Sequence, residues 1–173
     1  MRVLLNPGHA PDGRPDPGAV NRQLGTRECD VALDVALKTA HYLTVAGVDA
    51  EIFQNDSLEA ICEEEHAGGY DLFVSIHCNA ANGAARGTEC FYFDGGKHLA
   101  GCIQEQIVDS LRTFDRGVKQ AGFYVLKYTW SPAVLVELEF IDNNAGATLL
   151  LTGADEFARA IARGVTDYLQ GLE

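Results

Sequence analysis

Four side chains, His9, Glu28, His77 and Glu137, carry the chemistry that this sequence suggests. His9 follows a short apolar run and the break Asn6-Pro7-Gly8. His77 follows the apolar run "LFVSI", in "SIHCNA". Glu28 stands where a long polar loop enters a helix, in "GTRECD", and Glu137 interrupts the apolar run "PAVLVELEF". Two imidazoles and one carboxylate make a catalytic zinc set whose fourth position stays open to water. Bound zinc lowers the pKa of that water and polarises a carbonyl. A second carboxylate beside it takes the water's proton and hands it to a leaving nitrogen.

Each residue also has a plainer role. Glu28 suits a first-turn carboxylate that complements the helix dipole. Glu137 is the sharpest anomaly, because a carboxylate within a buried strand is costly unless paired or metal-bound. Glu139 shares its side of the strand by the period of two, so it faces the same cleft or is solvated near the strand end. Asp16 and Asp30 compete with Glu28 as the oxygen ligand. Asn79 is near enough to His77 to orient a ligand, and Arg116 and Lys119 in "DRGVK" suit either a peptide carboxylate or a solvated turn. His41, His66 and His98 read as solvated or capping residues, and Cys78, next to His77, points into the core by strand alternation.

The elements that position these groups alternate. Strands are predicted at residues 2–6, 50–53, 72–76, 88–93, 123–129 ("FYVLKYT") and 133–140, with a polar loop at 10–27. Helices are predicted at residues 29–46, 57–67, 97–113 and 154–171, the first from Leu33, Ala36, Leu37, Ala40 and Leu43 on one 3.6-period face. Continuous apolar strands between amphipathic helices imply an α/β domain, a mostly parallel twisted sheet with helices on both faces. In such sheets the ligand crevice lies beyond the carboxyl ends of the strands, which is where the four residues fall.

Composition bounds the function. The 173 residues are 47% hydrophobic and 22% charged, ordinary values for one globular domain, and no stretch approaches a membrane span. A formal charge of −12 argues against nucleic acid or an anionic membrane as partner. Five cysteines, with no C-x-x-C pair, read as reduced buried thiols rather than as a disulfide framework or zinc knuckle. Met1-Arg2 runs straight into the predicted first strand, so a leader is not expected among these residues.

"NPGH", "DPGAV", "GTRECDVAL", "YDLFVSIHCNA", "RGTECFYF", "DRGVKQAGFYVLKYT" and "PAVLVELEFIDN" occur in this order. Together they closely resemble the zinc-dependent N-acetylmuramoyl-L-alanine amidases of the type-3 class, from Val3 to about Asn143. The resemblance implies a six-stranded sheet, one amidase catalytic domain over residues 1–173, one zinc ion per chain, and hydrolysis of the amide between the lactyl group of muramic acid and L-alanine in peptidoglycan. It implies that His9, Glu28 and His77 are the zinc ligands and that Glu137 is the catalytic acid/base. The sequence departs from the family pattern at Asn6, where the family has Asp, at Ala10 and Pro11, where it has glycines, and at Glu139, where "ELGF" is usual. Only "DGGK" separates "TECFYF" from the next helix, so the inserted gating helix of some members is not expected.

Two other functions compete. A zinc carboxypeptidase or peptidase acting on stem peptides would share the metal site and would need a basic clamp, for which Arg14, Arg22, Arg27, Arg116 and Lys119 are available. A non-catalytic wall-binding module with the same fold would have little reason to keep Glu137. The chain is expected to be a monomer acting at the cell wall, either as an endolysin made in the cytoplasm and released, or as an autolysin domain whose leader has been removed.

Overall fold

The computed structural model describes residues 1–171. In chain order the elements are β1 (Arg2–Pro7), β2 (Val20–Asn21), β3 (Thr26–Arg27), α1 (Glu28–Val45), β4 (Asp49–Ile52), α2 (Leu58–Gly68), β5 (Leu72–Asn79), β6 (Thr88–Tyr92), α3 (Lys97–Leu111), β7 (Asp115–Gln120), α4 (Tyr124–Tyr128), β8 (Ala133–Phe140), α5 (Asn144–Thr152) and α6 (Ala154–Gln170). Six strands form one sheet in the order β4-β1-β5-β8-β6-β7. Every neighbouring pair is parallel except β6 with β8. β2 and β3 form a small separate hairpin in the loop before α1.

The sheet has two unequal faces. One packs against α1, α3 and α6, and its core holds Leu5, Val74, Ile76, Cys78, Val136, Leu138, Ile103, Phe157 and Ile161. The other is covered only by α2 and α4, around Leu4, Phe73, Ile61, Val125, Leu126 and Leu135. The lightly covered face carries the side chains of β5 and β8 that are polar at the strand ends, so a cleft opens there.

Three sequence expectations change. "FYVLKYT" forms not a strand but the short helix α4, because Val125 and Leu126 are buried against α2 rather than alternating across a pleat. The sixth strand is instead β7, "DRGVKQ", an edge strand whose polar composition carries no apolar signal. A further helix, α5, follows β8, capped by Asn143 Oδ1 accepting from the amides of Ala145 and Gly146. All five cysteines are free thiols. No described helix is long and apolar enough to cross a membrane.

Candidate metal centre

The centre is assembled from three elements. β1 ends at Pro7, and the chain then turns so that His9 takes a left-handed backbone, φ 66°, a conformation that L-residues adopt at a cost of about 1–2 kcal/mol. The turn is tight because Gly8 lies on the His77 ring: a Cβ there would be 2.3 Å from its Cε1. Gly18, at φ 70°, closes the opposite side, where a Cβ would lie 2.4 Å from His9 Cδ2 and 2.6 Å from Glu28 Oε2. Glu28 opens α1, and His77 lies within β5, which continues to Asn79 rather than ending at Ile76.

These side chains converge. Glu28 Oε1 is 3.0 Å from His9 Nε2 and 3.0 Å from His77 Nδ1, and one ligand atom from each residue lies within 4.8 Å of the others. The two imidazoles meet edge to face, centroids 5.2 Å apart. Ligands of a tetrahedral zinc, bonded at about 2.1 Å, stand about 3.4 Å from one another. The cluster has the donor types, number and spacing for that ion. It is the one group of three metal-ligating residues among the described residues.

The surroundings hold each donor in place. Glu28 is buried and accepts from the amides of Ala19 (2.8 Å, at Oε2) and Cys78 (3.0 Å, at Oε1). Burial pushes its pKa up, but hydrogen bonds from His77 and His9 outweigh this and keep it well below the usual carboxylate range. Asp16, a rival oxygen ligand on sequence grounds, instead binds His9 Nδ1 at 2.8 Å and accepts from the Gly18 amide. A carboxylate on the far ring nitrogen fixes which nitrogen faces a metal. The Glu28 hydrogen bond, with Asp16 adding to it against the effect of burial, raises His9 to about 9. Asp30, the other rival, is taken by Arg27 at 2.6 and 2.7 Å.

Glu137 is the cross-strand neighbour of His77 on β8, and on its other side it faces Glu89 of β6. Its Oε2 is buried with no protein partner. Burial pushes its pKa up to about 7, with His77 opposing and the Glu28 and Glu89 carboxylates adding. His9, His77 and Glu137 all line a cleft of about 330 Å³ whose far wall includes Leu58, Phe123 and Tyr124.

Several sequence readings resolve differently. Between β5 and β8 the register advances from His77↔Glu137 to Asn79↔Phe140, so β8 holds one extra residue, a bulge. The bulge breaks the period of two, and Glu139 does not share the face of Glu137. It is buried and accepts from the amides of Gly87 and Phe140, bordering a separate surface cavity. Asn6 hydrogen-bonds to neither histidine: it donates to Phe53 O at 2.9 Å and accepts from Ser75 Oγ at 2.8 Å. Asn79 donates to Glu89, and that carboxylate also engages Lys119 and, at 3.3 Å, Arg116. Sequence reading missed Glu89, because a single acidic residue in "RGTECFYF" has no visible partner until β7 is set beside β6. His66 stacks on Trp130, while His41 and His98 are exposed, each against a tyrosine.

Known proteins resemble this chain along its length. The family described as N-acetylmuramoyl-L-alanine amidase matches residues 3–167. The uncharacterised protein YqiI of Bacillus subtilis strain 168 is 37% identical, over 96% of this chain and 84% of that one. The N-acetylmuramoyl-L-alanine amidase LytC of the same strain is 35% identical over 96% of this chain, which spans only 35% of LytC. The structure of N-acetylmuramoyl-L-alanine amidase AmiC2 of Nostoc punctiforme superposes with a TM-score of 0.91 at 30% identity, covering 98% of this chain and 97% of that one.

Proposed function

The chain belongs to the N-acetylmuramoyl-L-alanine amidase family, and from that premise we propose that it is a zinc-dependent peptidoglycan amidase, acting at the cell wall on the bond between the lactyl group and L-alanine. The observation that carries the mechanism is the convergence of His9, Glu28 and His77 beside Glu137, a carboxylate with one buried oxygen lacking any partner. His9 Nε2, Glu28 and His77 Nδ1 would hold the ion. Zinc bound there supplies a Lewis acid that polarises the scissile carbonyl and brings the pKa of water towards neutrality.

The chain's own residues do the rest. Glu137, with a pKa of about 7, accepts a proton from the attacking water and returns it to the departing alanine nitrogen. Asp16 holds the His9 ring by Nδ1, and the amides of Ala19 and Cys78 hold Glu28, so the donors need no reorganisation as ligand binds. Leu58, Phe123 and Tyr124 form the wall against which substrate lies.

The test is the digestion of purified peptidoglycan by wild type and Glu137→Gln, with products read by mass spectrometry. Wild type is expected to release intact stem peptides that begin with alanine and to leave free glycan. Glu137→Gln is expected to bind zinc and to lose at least about 100-fold in rate. Shortened stems would mean a peptidase, and full activity in Glu137→Gln would remove Glu137 from the chemistry.

A further inference from the structure

On the open face of the sheet, one strand beyond Glu137, lies a second polar cluster with a different chemistry. Glu89 of β6 is buried, directly across from Glu137. Its Oε1 accepts from Asn79, and its Oε2 engages Lys119 and lies 3.3 Å from Arg116 Nε. Both oxygens of the carboxylate are therefore used. The cations are not used up: the Lys119 side chain is 43% exposed and that of Arg116 32%. The Arg116 guanidinium lies over the Phe140 ring at 4.9 Å, and Lys119 Nζ is 5.8 Å from the ring of Phe91, which meets Phe123 of the cleft wall. Two cations on one carboxylate leave a local charge of +1 in a chain of formal charge −12.

Resting on the amidase reading above, we propose that Arg116 and Lys119, set in place by Glu89, are a subsite for a free carboxylate of the stem peptide. The direction follows from the strand order β5-β8-β6-β7. The donor cluster lies on the β5 side of Glu137, and Glu137 delivers its proton to the alanine nitrogen. The leaving peptide therefore runs away from the cluster, over β6 towards β7. Strands are about 4.8 Å apart, so β7 is about 10 Å from β8, and an extended peptide gains about 3.5 Å per residue. With the reach of the lysine and arginine side chains, the residue met there is the one after L-alanine, and the group on it that two cations suit is a carboxylate. Arginine and lysine bind carboxylates through charge-assisted hydrogen bonds, and an amide at the same position forfeits that charge.

The experiment compares soluble disaccharide-tripeptides whose second stem residue, joined to the third through its side-chain carboxyl, carries either a free α-carboxylate or its carboxamide. Wild type is expected to favour the acid by about tenfold or more in kcat/KM, mainly through KM. Lys119→Met is expected to bring the ratio of the two substrates to about one, and Lys119→Arg to keep most of it. A wild-type ratio near one, or a ratio unchanged in Lys119→Met, overturns the subsite while cleavage of both substrates upholds the amidase reading. Cleavage of neither substrate overturns that reading and the subsite with it.

Discussion

His9 is bound on both ring nitrogens, Nδ1 by Asp16 and Nε2 by Glu28, so a proton and a divalent cation compete for the same Nε2. With His9 raised to about 9, zinc binding must release that proton, and zinc affinity is expected to weaken about tenfold per pH unit below 9. Competition with a chromophoric chelator between pH 6 and 8 measures this, and an affinity flat across that range would contradict it. Glu137 has the opposite acid-base logic to Glu28. Its pKa, raised from 4.5 to about 7, means that the folded protein prefers the neutral acid. The contribution is whole below about pH 4.5 and is lost as pH rises through 7. In chelator, Glu137→Gln should therefore gain on wild type by on the order of 3 kcal/mol at pH 8 and by nothing at pH 4, as read by denaturant unfolding. At this scale the sequence was partly legible. His9, Glu28, His77 and Glu137 stood out, but Asp16 as a partner of His9, and the role of Glu89, depend on contacts made by a loop and by an edge strand.

Glycine turns and a bulge aim these side chains. Gly18 has no room for a Cβ against His9 and Glu28, whereas Gly25, at a similar φ of 66°, has nothing within 4 Å. Gly18→Ala is expected to lower zinc affinity about tenfold or more by moving a ligand. Gly25→Ala carries only the backbone penalty, about 1–2 kcal/mol, and should keep its affinity. Equal affinities in the two variants would remove Gly18 from the site's support. The bulge in β8 explains why a strict period of two misassigned Glu139: one inserted residue turned it from the cleft to the Gly87 amide. In the same way, "FYVLKYT" has strand-like residues, but burial of Val125 and Leu126 against α2 decides for a helix. β7 was invisible because an edge strand needs no apolar face.

Over the whole molecule, the alternation of apolar strands and amphipathic helices made a mostly parallel sheet legible, since such strands are buried on both sides. The number of six strands came from the family resemblance, and one of the six was placed at α4 instead of β7. Strand order and the antiparallel β6 were not legible, because they depend on which strands meet across long connections. The uneven covering of the two faces, three long helices against α2 and the five-residue α4, is what leaves open the face that carries His77 and Glu137. A formal charge of −12 adds repulsion from anionic wall polymers that salt screens beyond about 8 Å at physiological ionic strength. Clearance of intact walls is expected to rise between 10 and about 150 mM salt, while hydrolysis of soluble fragments changes little. Turbidity and fragment assays run in parallel would show this, and a fall in clearance over that range would contradict it.

The most direct test of the central claim is the zinc content of purified wild type, His9→Ala and His77→Ala, each assayed on purified peptidoglycan. The account predicts one zinc per wild-type chain, with metal and hydrolysis lost together in both variants. Hydrolysis that survives without metal, or zinc retained at full occupancy in either variant, would contradict it.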